Sequence, residues 1–337
     1  MLVTGDSARK SRLESLPGGP DNPKQDDEEF AEAIVAGLSA GQKTLPCRFL
    51  YDERGSDLFE QITELPEYYP TRAEAAILEA NAADMAQGVD SAYVLVEFGS
   101  GSSRKTEILL DAMPDLGAYV PIDVSPSALD EAEKRLKRRY ADLDIRPIIG
   151  DFSRPLDLPD DLRARRRIGF FPGSTIGNLV RSEAVALLDG FRRLLGRGSR
   201  LIVGIDLVKS EEKLVRAYDD SAGVTAAFNL NLLARINEIF GPVVDPASFH
   251  HEARFNRNAS RIEMHLVSKE DQTLELLGHR FSFQRGETIH TESSHKYTIP
   301  GFQELARSAG WSPERVWTDG DDLFSVHELI AASPSTN

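Results

Sequence analysis

Short and nearly continuous apolar runs alternate with amphipathic segments between about residues 92 and 208. The apolar runs are "AYVLVEF", "AYVPIDV", "DIRPIIGDF", "RIGFFPGS" and "SRLIVGIDLV". Runs of this length without polar alternation are typical of strands that are covered on both faces. The segments between them have helical spacing, and "SPSALDEAEKRLKRRY" also begins with the serine and proline of a helix start. Strands and helices that alternate with short links predict a parallel, doubly wound sheet.

This alternation stops after Val208. A long helical stretch extends from Glu211 to about Phe240, and alternating strand patterns follow from about Phe249 to Thr298. The segment "GFQELARSAG" then predicts a helix, and "SPERVWTD" and "LFSVHELIAA" predict two strands joined by "GDD". A long insertion therefore interrupts an α/β unit that resumes near the end of the sequence.

The same patterns predict two lobes and a tail. Residues 1–27 are rich in proline, glycine and charged residues without periodicity, which predicts a flexible tail. We expect residues 28–72 and 209–296 to form an α+β lobe, and residues 73–208 and 297–337 to form the α/β domain. The helical patterns that precede the first strand are Glu28–Leu38, Asp57–Leu65 and Arg72–Met85.

Composition narrows the classes of function. The 337 residues carry a formal net charge of −15, which argues against a nucleic-acid partner or an anionic membrane surface. Cys47 is the one cysteine, so an internal disulfide is impossible and a reducing, cytoplasmic location is expected. No apolar run has the roughly 18–20 residues of a membrane span. Because the histidines and the cysteine lack metal-ligand spacing, we expect no metal.

A glycine-rich turn follows the first predicted strand, in "VEFGSGSSRKT" with its glycines Gly99 and Gly101 and its serine Ser103. Glycines let the backbone turn tightly and approach a ligand, and a helix N-terminus favours a polar or anionic group. Asp123 ends the second strand, where a ribose diol would lie, and Asp151-Phe152 ends the third, where an adenine would lie. The alternative is an ordinary turn with carboxylates that cap helices.

Two nucleotide-like ligands fit such a turn. A dinucleotide would need a third glycine where this chain has Arg104, whose side chain disturbs the approach of a phosphate. S-adenosylmethionine has no phosphate and tolerates an arginine there. The terminal pair of strands also suits a methyltransferase. We therefore predict an α/β, class I Rossmann-like methyltransferase sheet with a terminal antiparallel hairpin, plus an α+β substrate-binding lobe.

The polar stretch "HTESSHKY" closes the predicted strands of the insertion. In an extended backbone Glu292 and Ser294 point to one side and Ser293 to the other. This side of the strand is either only its solvated face or part of a binding site. His290 and His295 flank these residues and are interpreted as strand residues rather than metal ligands.

Several motifs in order resemble a known family. They are "YDERGSDLFEQITELPEYYPTRAE", "EFGSGSSRKT", "PIDVSPSAL", "GDF", "FFPGSTIGN", "YDDSAGVTAAFNLNLLARIN" and "GETIHTESSHKY", and they span roughly residues 45–330. Together they resemble the L-histidine Nα-methyltransferases of ergothioneine biosynthesis. The resemblance implies that the chain converts histidine into its trimethylated betaine, hercynine, with three S-adenosylmethionine molecules in turn. It also implies a monomer with a small-molecule amino-acid substrate.

The resemblance further implies roles for individual residues. Asn178 and Tyr218 would hold the substrate carboxylate, and Tyr51 would lie near the amino group, with a catalytic role left open because an ordinary phenol is a weak base at neutral pH. The implied cofactor contacts are Tyr68, Gly99, Lys105, Asp123, Asp151 and Phe152. The implied substrate contacts are Tyr68, Asn178, Tyr218, Met264, Glu292 and Ser294, of which Glu292 and Ser294 would meet the imidazole and Met264 would form an apolar wall.

Simpler structural roles compete with several of these assignments. Asn178 suits a helix N-cap, Tyr218 suits packing, Met264 suits a strand core, and Lys105 suits an exposed helix position. Other functions compete as well. They are an NAD-dependent oxidoreductase, a methyltransferase fold without catalysis, and a related methyltransferase that acts on another amino acid or a histidine-like amine.

Overall fold

The computed structural model describes residues 23–101 and 104–332. Most of the predicted tail of residues 1–27 lies outside the described residues, and so does Ser103. The first helix of the described residues begins at Pro23, five residues before the helical pattern predicted from Glu28. No helix of the described ranges has the length and apolar character needed to cross a membrane.

The regular elements follow the chain in an order close to the predicted one. The helices are α1 (Pro23–Leu38), α2 (Glu53–Thr63), α3 (Tyr69–Met85), α4 (Arg104–Ala112), α5 (Pro126–Arg139), α6 (Asp160–Arg163), α7 (Arg181–Leu195), α8 (Glu211–Tyr218), α9 (Val224–Phe240) and α10 (Ile299–Ser308). The strands are β1 (Lys43–Thr44), β2 (Tyr93–Phe98), β3 (Ala118–Asp123), β4 (Asp144–Ile145), β5 (Ile148–Ile149), β6 (Arg166–Phe171), β7 (Arg200–Asp206), β8 (Phe249–Asn256), β9 (Arg261–Ser268), β10 (Gln272–Leu276), β11 (His279–Phe283), β12 (Thr288–His295), β13 (Trp311–Thr318) and β14 (Phe324–Ala331). Single 3₁₀ turns lie at Cys47–Leu50, Thr175–Asn178 and Pro246–Ser248.

The chain divides into two compact units. One contains the described residues up to Tyr68 together with Ser210–Ser293, and the other contains Tyr69–Lys209 and the chain from Ser294 onward. We call them the insertion unit and the sheet unit. The boundaries fall a few residues from the expected 72/73, 208/209 and 296/297. Tyr69 belongs to the sheet unit because its hydroxyl donates to Asp206 at 2.8 Å and accepts from Lys209 at 2.7 Å.

The sheet unit is built on eight strands in the order β13-β14-β7-β6-β2-β3-β4, with β5 also paired to β3. The sheet has six parallel strands, which are β7, β6, β2, β3, β4 and β5. Strand β14 is antiparallel to both of its neighbours, β7 and β13. This topology confirms the predicted doubly wound sheet with a terminal antiparallel hairpin. The antiparallel strand enters because the short "GDD" link returns the chain directly beside β13.

Both faces of this sheet are buried, which explains the continuous apolar runs. Val94 and Val96 of β2 pack on one face against the helices α7 and α10, in a core that includes Phe191. Leu95 points to the other face and packs in a core with Tyr119 and with residues of α3 and α4. Successive side chains of a strand alternate between faces, so a strand with two covered faces needs apolar residues at every position.

The insertion unit combines the N-terminal helices with the long insertion. A four-stranded sheet has the order β1-β12-β9-β8, and β10 and β11 form a separate hairpin. On its helical side, Asn231 of α9 donates to the carboxylate of Asp52 at 2.7 Å, and Arg235 donates to the carbonyl of Phe49 at 3.0 Å. These bonds join the insertion to the start of α2.

Two predicted elements differ from the structure. The third strand, expected over "DIRPIIGDF", is split into β4 and β5, because Pro147 between them has no N–H to continue the ladder. The helical stretch expected from Glu211 to Phe240 is broken after Tyr218. Gly223 has φ 75°, and the carboxylate of Asp220 accepts from the backbone N–H of Thr225 at 2.7 Å, which starts α9.

Candidate functional site

The glycine-rich turn lies at the carboxyl end of β2, beside β3. Gly99 and Gly101 have φ values of 72° and 45°, which favour glycine. The N–H of Gly99 donates to the carbonyl of Ile122 at 2.9 Å, and the N–H of Gly101 donates to Asp123 Oδ2 at 2.9 Å. Two backbone N–H groups therefore hold the turn against the end of β3, and one of them bonds to Asp123, the predicted ribose contact.

Phe152 packs directly on Gly99. A Cβ atom at Gly99 would lie 3.1 Å from Phe152 Cε1, so a larger residue would have to push the ring aside. The same ring makes an edge contact with Phe171, with centroids 5.5 Å apart. Phe152 is half-buried and forms an apolar surface beside the turn, which is compatible with the predicted contact to an adenine ring.

Asp123 and Asp151 both organise their own loops. Asp123 Oδ1 accepts from the N–H of Ser125 at 3.0 Å, and Asp151 Oδ1 accepts from the N–H of Ser153 at 2.8 Å. The alternative reading of these carboxylates as helix caps is wrong, because Ser125 is the N-cap of α5 and Pro159 is the N-cap of α6. A carboxylate has about four acceptor positions, so each side chain retains capacity for a ligand's hydroxyl or amino group.

Lys105, at the start of α4, forms an ion pair that the sequence analysis did not predict. Its Nζ lies 2.5 Å from Glu74 Oε2, and Glu74 is fully buried on α3. The Glu74 carboxylate also accepts from the N–H of Gly173 at 2.9 and 3.0 Å. Lys105 therefore links the helix after the glycine turn to the loop after β6. Its predicted contact with the cofactor's carboxylate stays a prediction.

A second buried carboxyl group, Glu97, lies on β2 just before the turn. It accepts from Thr106 Oγ1 at 2.6 Å and from the hydroxyl of Tyr119. Burial raises the pKa of Glu97 to about 7, and these hydrogen bonds oppose the rise. The carboxyl group holds the start of α4 against β3 and so shapes the base of the turn.

These features fit S-adenosylmethionine. Left-handed glycines, a helix start, two carboxylates at neighbouring strand ends and an aromatic surface lie on three parallel strands whose carboxyl ends meet at one edge. Open α/β sheets bind their ligands at this edge. An amino-acid moiety, a ribose diol and an adenine need this mixture of polar and apolar groups.

The loop after β6 carries Asn178 at the end of its 3₁₀ turn. The alternative role of Asn178 as a helix N-cap is wrong, because Val180 occupies the N-cap position of α7. The loop is held by His295, whose Nδ1 lies 2.8 Å from the carbonyl of Gly177. A Cβ at Gly177 would lie 2.9 Å from the carbonyl oxygen of His295 and 3.5 Å from Ser294 Oγ. The structure thus brings Asn178 and Ser294 into the same part of the sheet unit.

Three of the predicted site residues, Tyr51, Tyr68 and Tyr218, contact other aromatic rings in the insertion unit. The ring of Tyr51 contacts Phe59 and Phe228 edge-on, with centroids 5.5 and 5.4 Å apart. Tyr68 contacts Phe59 and Tyr218 in the same way, at 6.2 and 6.1 Å. Tyr51, Tyr68 and Tyr218 therefore belong to one aromatic cluster.

The hydroxyl of Tyr51 is in an unusual electrostatic setting. Desolvation and then the negative charge of Glu292 raise the pKa of Tyr51 well above its ordinary value, although 38% of the residue is exposed. Tyr68 and Tyr218 add to the effect. The phenol is therefore protonated at neutral pH and can donate a hydrogen bond, and its catalytic role stays a prediction.

Met264 and Glu292 lie on β9 and β12, and both are buried. The carbonyl oxygen of Met264 lies 3.0 Å from Thr291 Oγ1, next to Glu292 on β12. Met264 pairs with Ala253 and is only 2% exposed. Met264 is therefore part of the strand core, and its contact with a substrate stays a prediction.

A buried polar chain that the sequence reasoning missed supports these residues. His251 Nε2 lies 2.7 Å from the carbonyl of Tyr218, and His251 Nδ1 lies 2.9 Å from Asn229 Nδ2. Asn229 Oδ1 then accepts from Thr291 Oγ1 at 2.6 Å. Desolvation lowers the pKa of His251, which favours the neutral ring that donates to Tyr218 and accepts from Asn229. The only hint in the sequence is that polar residues interrupt apolar positions of α9 and β8.

The histidines of "HTESSHKY" bond to backbone carbonyls. His290 Nε2 lies 2.9 Å from the carbonyl of Glu292, and His295 bonds to Gly177 as described above. Among residues 23–101 and 104–332, no group of three or more histidine, cysteine, aspartate or glutamate side chains is placed to hold a metal ion.

The chain is similar to known methyltransferases. The model of a family described as "Histidine-specific methyltransferase, SAM-dependent" matches residues 30–331. The histidine N-alpha-methyltransferase of Mycobacterium tuberculosis is 42% identical over 299 residues, which are 87% of this chain and 92% of that protein. A protein of the same name from Mycolicibacterium smegmatis is 41% identical over 89% of this chain and 94% of its own length.

A fungal relative is longer. Ergothioneine biosynthesis protein 1 of Neurospora crassa is 30% identical over 87% of this chain, which corresponds to 34% of that protein. Because the family model covers almost all of the described residues and the bacterial relatives align over nearly their full lengths, the chain belongs to the family of histidine-specific, S-adenosylmethionine-dependent methyltransferases.

Proposed function

We propose that this enzyme transfers three methyl groups in turn from S-adenosylmethionine to the α-amino nitrogen of L-histidine, and so forms hercynine in ergothioneine biosynthesis. Two groups of residues carry the proposal, one in each unit. A glycine turn with two carboxylates suits the methyl donor. A buried carboxylate beside an aromatic cluster suits an amino acid with a polar aromatic ring.

For the methyl donor, we assign the contacts to Gly99, Asp123, Asp151, Phe152 and Lys105, with Tyr68 contacting donor and substrate. S-adenosylmethionine supplies an electrophilic methyl group on a sulfonium. The turn at Gly99 and Gly101 presents backbone groups, while Asp123 accepts hydrogen bonds from the ribose hydroxyls.

For the substrate, we assign the carboxylate to Asn178 and Tyr218 and the imidazole to Glu292 and Ser294, with Met264 as an apolar wall. Holding the substrate at both ends leaves its amino nitrogen unclamped. The same pocket can therefore bind the mono- and dimethylated intermediates.

The protein's main contribution is alignment. In-line transfer requires the amino nitrogen to lie on the axis of the breaking bond, and correct positioning alone lowers a barrier by several kcal/mol, up to about 7–11 kcal/mol in the most favourable cases. The nitrogen also needs a free lone pair, and Tyr51 does not supply the base because its phenol stays protonated. We infer that the proton leaves through water and that the Tyr51 oxygen orients the neutral amine by accepting a hydrogen bond from an amine N–H, which leaves the lone pair free to attack the methyl group.

The aromatic cluster gives room and charge complementarity for repeated transfer. The faces of Tyr51 and Tyr68 accept a growing quaternary ammonium by cation–π interaction, which is worth about 0.5–2 kcal/mol. A hydrogen-bond acceptor alone would lose its partner after the third transfer, whereas an aromatic face keeps its attraction.

We further propose that the enzyme acts as a metal-free monomer in the cytoplasm, without nucleic-acid or membrane partners. The net charge of −15 argues against nucleic-acid and anionic-membrane partners, and the single cysteine suits a reducing cytoplasm.

A calorimetric screen of amino acids in the presence of S-adenosylhomocysteine tests the substrate assignment. We expect L-histidine and its Nα-methylated forms to bind most tightly among the common amino acids. Tighter binding of tryptophan or tyrosine would favour the alternative, a related methyltransferase that acts on another amino acid.

A further inference from the structure

A cavity of about 510 Å³ lies beside α7 in the sheet unit. Its apolar wall includes Phe152, Leu156 and Phe191, which pack on the same side of the sheet. Cavities of this volume, with a largely apolar wall and a few polar groups, are typical sites for small organic ligands. Of the residues assigned to the methyl donor and the substrate, Phe152 alone lines this cavity, so it is distinct from both proposed sites.

Gly190 leaves space open along one wall of the cavity. It lies within α7, where glycine stabilises a helix less than alanine does. Close contacts often explain a glycine inside a helix or strand, as at Gly169 of β6, where a Cβ atom would lie 2.6 Å from Leu195 Cδ1. A Cβ atom at Gly190 would meet no atom within 4 Å, and a longer side chain there would extend into the cavity. Packing among the described residues therefore does not require this glycine, whereas a ligand next to it would.

Arg167 of β6 brings a positive charge to the cavity. The side chain is half-buried, and its Nε and Nη1 donate to the carbonyl oxygens of Leu195 and Arg163 at 2.5 and 2.6 Å. Across residues 23–101 and 104–332, no carboxylate forms an ion pair with it. Desolvation and then the charge of Arg163 lower the pKa of Arg167, so a negative charge beside it would stabilise the cation. A guanidinium has five N–H donors and can bind an anion without giving up these two carbonyls.

The other arginines of the cavity have acidic partners. The distances between their side-chain nitrogen and carboxylate oxygen atoms are 3.4 Å for Arg154–Asp151, 3.0 Å for Arg163–Asp157, 3.5 Å for Arg163–Asp160 and 2.5 Å for Arg193–Asp189. Asp157 is the one acidic residue among those that line the cavity, and its side chain is 90% exposed. The arginines of these pairs are exposed as well, whereas Arg167 is half-buried and keeps an uncompensated charge.

We propose that this cavity is a second binding site, which takes a small monocarboxylate with an apolar body. Arg167 binds the carboxylate, and the apolar body fills the space next to Gly190 and Phe152. The helix from Gly190 to Leu195, where Arg167 is anchored, spans about 7.5 Å, so a chain of a few carbon atoms joins the two parts of the ligand. Binding to the cavity does not depend on the proposed function.

Phe152 couples this site to the glycine-rich turn. The ring lines the cavity and also packs on Gly99, where a Cβ atom would lie 3.1 Å from Phe152 Cε1. A ring next to a void lacks packing partners on one side, and a ligand in the cavity supplies them. The ligand thereby holds Phe152 against the turn, and by linkage each of the two ligands strengthens binding of the other. This coupling alone rests on the proposed function, because it takes the turn as the site of the methyl donor.

The unmodified protein provides the first test. The probe is para-fluorophenylbutyrate, and its binding is followed by ¹⁹F nuclear magnetic resonance with saturating S-adenosylhomocysteine and L-histidine, which keep the probe out of their own sites. We expect saturable binding, and we expect the neutral amide of the probe to bind about ten-fold more weakly, because it lacks the charge that Arg167 pairs. Equal binding of the acid and the amide, or no binding of the acid at millimolar concentrations, would overturn the proposal.

Variants locate the probe. Gly190→Phe places a ring in the cavity and should weaken binding of the acid about ten-fold or more, whereas binding by Gly190→Ala, its matched control, should stay within about two-fold. Arg167→Met should remove the preference for the acid over the amide. Circular dichroism checks that each variant is folded. Full binding of the acid by folded Gly190→Phe, or an unchanged preference in folded Arg167→Met, would overturn the proposal.

Calorimetry tests the coupling separately. The probe should raise the affinity of the unmodified protein for S-adenosylhomocysteine about three-fold or more and should have no effect on Gly190→Phe. An unchanged affinity with the probe bound would overturn the coupling through Phe152 but not the binding site. Failure to bind S-adenosylhomocysteine at all, with the probe still bound, would contradict the proposed function and leave the second site standing.

Discussion

Glu74 and Lys105 form an ion pair whose carboxylate is fully buried. Lys105 Nζ lies 2.5 Å from Glu74 Oε2, and the N–H of Gly173 donates to the same carboxylate at 2.9 Å. The pair joins α3, the start of α4 and the loop that carries Asn178. A single buried side chain thus connects the proposed donor contacts with the proposed substrate contacts of the sheet unit.

This pair separates a structural role of Lys105 from a binding role. Lys105→Met should lower the free energy of unfolding by about 1–3 kcal/mol, because a buried carboxylate loses a charged donor. It should also weaken binding of S-adenosylhomocysteine at least ten-fold if Lys105 holds the ligand's carboxylate. Urea unfolding and calorimetry measure the two effects.

Glu74→Gln is the matched control for that experiment. It removes the charge of Glu74 but keeps an acceptor for Gly173 and leaves Lys105 available to the ligand. We expect cofactor affinity to stay within about three-fold of the unmodified protein, since at most one hydrogen bond changes. Equal losses of cofactor affinity in both variants would mean that Lys105 acts only through Glu74.

The two sides of β12 make a second prediction. Glu292→Ala should weaken histidine binding by at least ten-fold and change cofactor binding little, because a buried polar partner of the substrate is removed. Ser293→Ala is the neighbouring control, because Ser293 is expected to point away from Glu292 in an extended strand. The contact of Ser293 Oγ with His290 Nε2 at 3.1 Å is the one that this variant removes. The assignment fails if calorimetry shows equal loss of histidine and cofactor in Glu292→Ala, or if Ser293→Ala harms histidine binding as much as Ser294→Ala.

The fold was largely predictable, because its signal is local. Continuous apolar runs such as Tyr93–Phe98 report that both faces of a strand are buried, and the short "GDD" link determines that the last two strands form a hairpin. The break between α8 and α9 was missed although "DDSAG" contains its signals. The apolar positions on either side of Asp220 and Gly223 kept a helical spacing that outweighed them.

The site was predictable only in part, for a different reason. Motifs locate residues whose type is characteristic, such as Gly99 or Asp123. They do not locate residues such as Glu74, His251 or Lys296, whose importance lies in partners that are far away in sequence. Glu74 is 99 residues from Gly173, and Lys296 is 90 residues from Asp206. No periodicity within one segment reports such contacts.

The close approach at Gly177 gives a third prediction. Gly177→Ala should reduce turnover at least ten-fold, because the new Cβ would lie 2.9 Å from the carbonyl oxygen of His295 and would shift Asn178 or Ser294. Gly190→Ala in α7 is the control. A Cβ there meets no atom within 4 Å, and alanine should stabilise the helix by about 0.5–1 kcal/mol. Normal turnover by Gly177→Ala would show that this contact does not position the site.

Tyr51 gives a prediction about pH. The pKa of Tyr51 is raised, so its hydroxyl is protonated at all pH values below its ordinary value near 10 and does not titrate between about pH 6 and pH 9. The pH profile of kcat/KM for Tyr51→Phe should therefore run parallel to that of the unmodified protein over this range. The value of kcat/KM should fall by at most about ten-fold, the effect of one lost hydrogen bond. Loss of the rise in rate with pH in Tyr51→Phe would identify the phenol as the base after all.

The central claim is that the α-amino nitrogen of histidine receives all three methyl groups. Mass spectrometry and nuclear magnetic resonance of the product formed from L-histidine and excess S-adenosylmethionine test it most directly. We predict a trimethylated product whose methyl groups are equivalent and lie on the α-nitrogen, with the ring unmethylated. Absence of methylated histidine from folded protein that binds S-adenosylhomocysteine, or methylation of a ring nitrogen, would contradict the account.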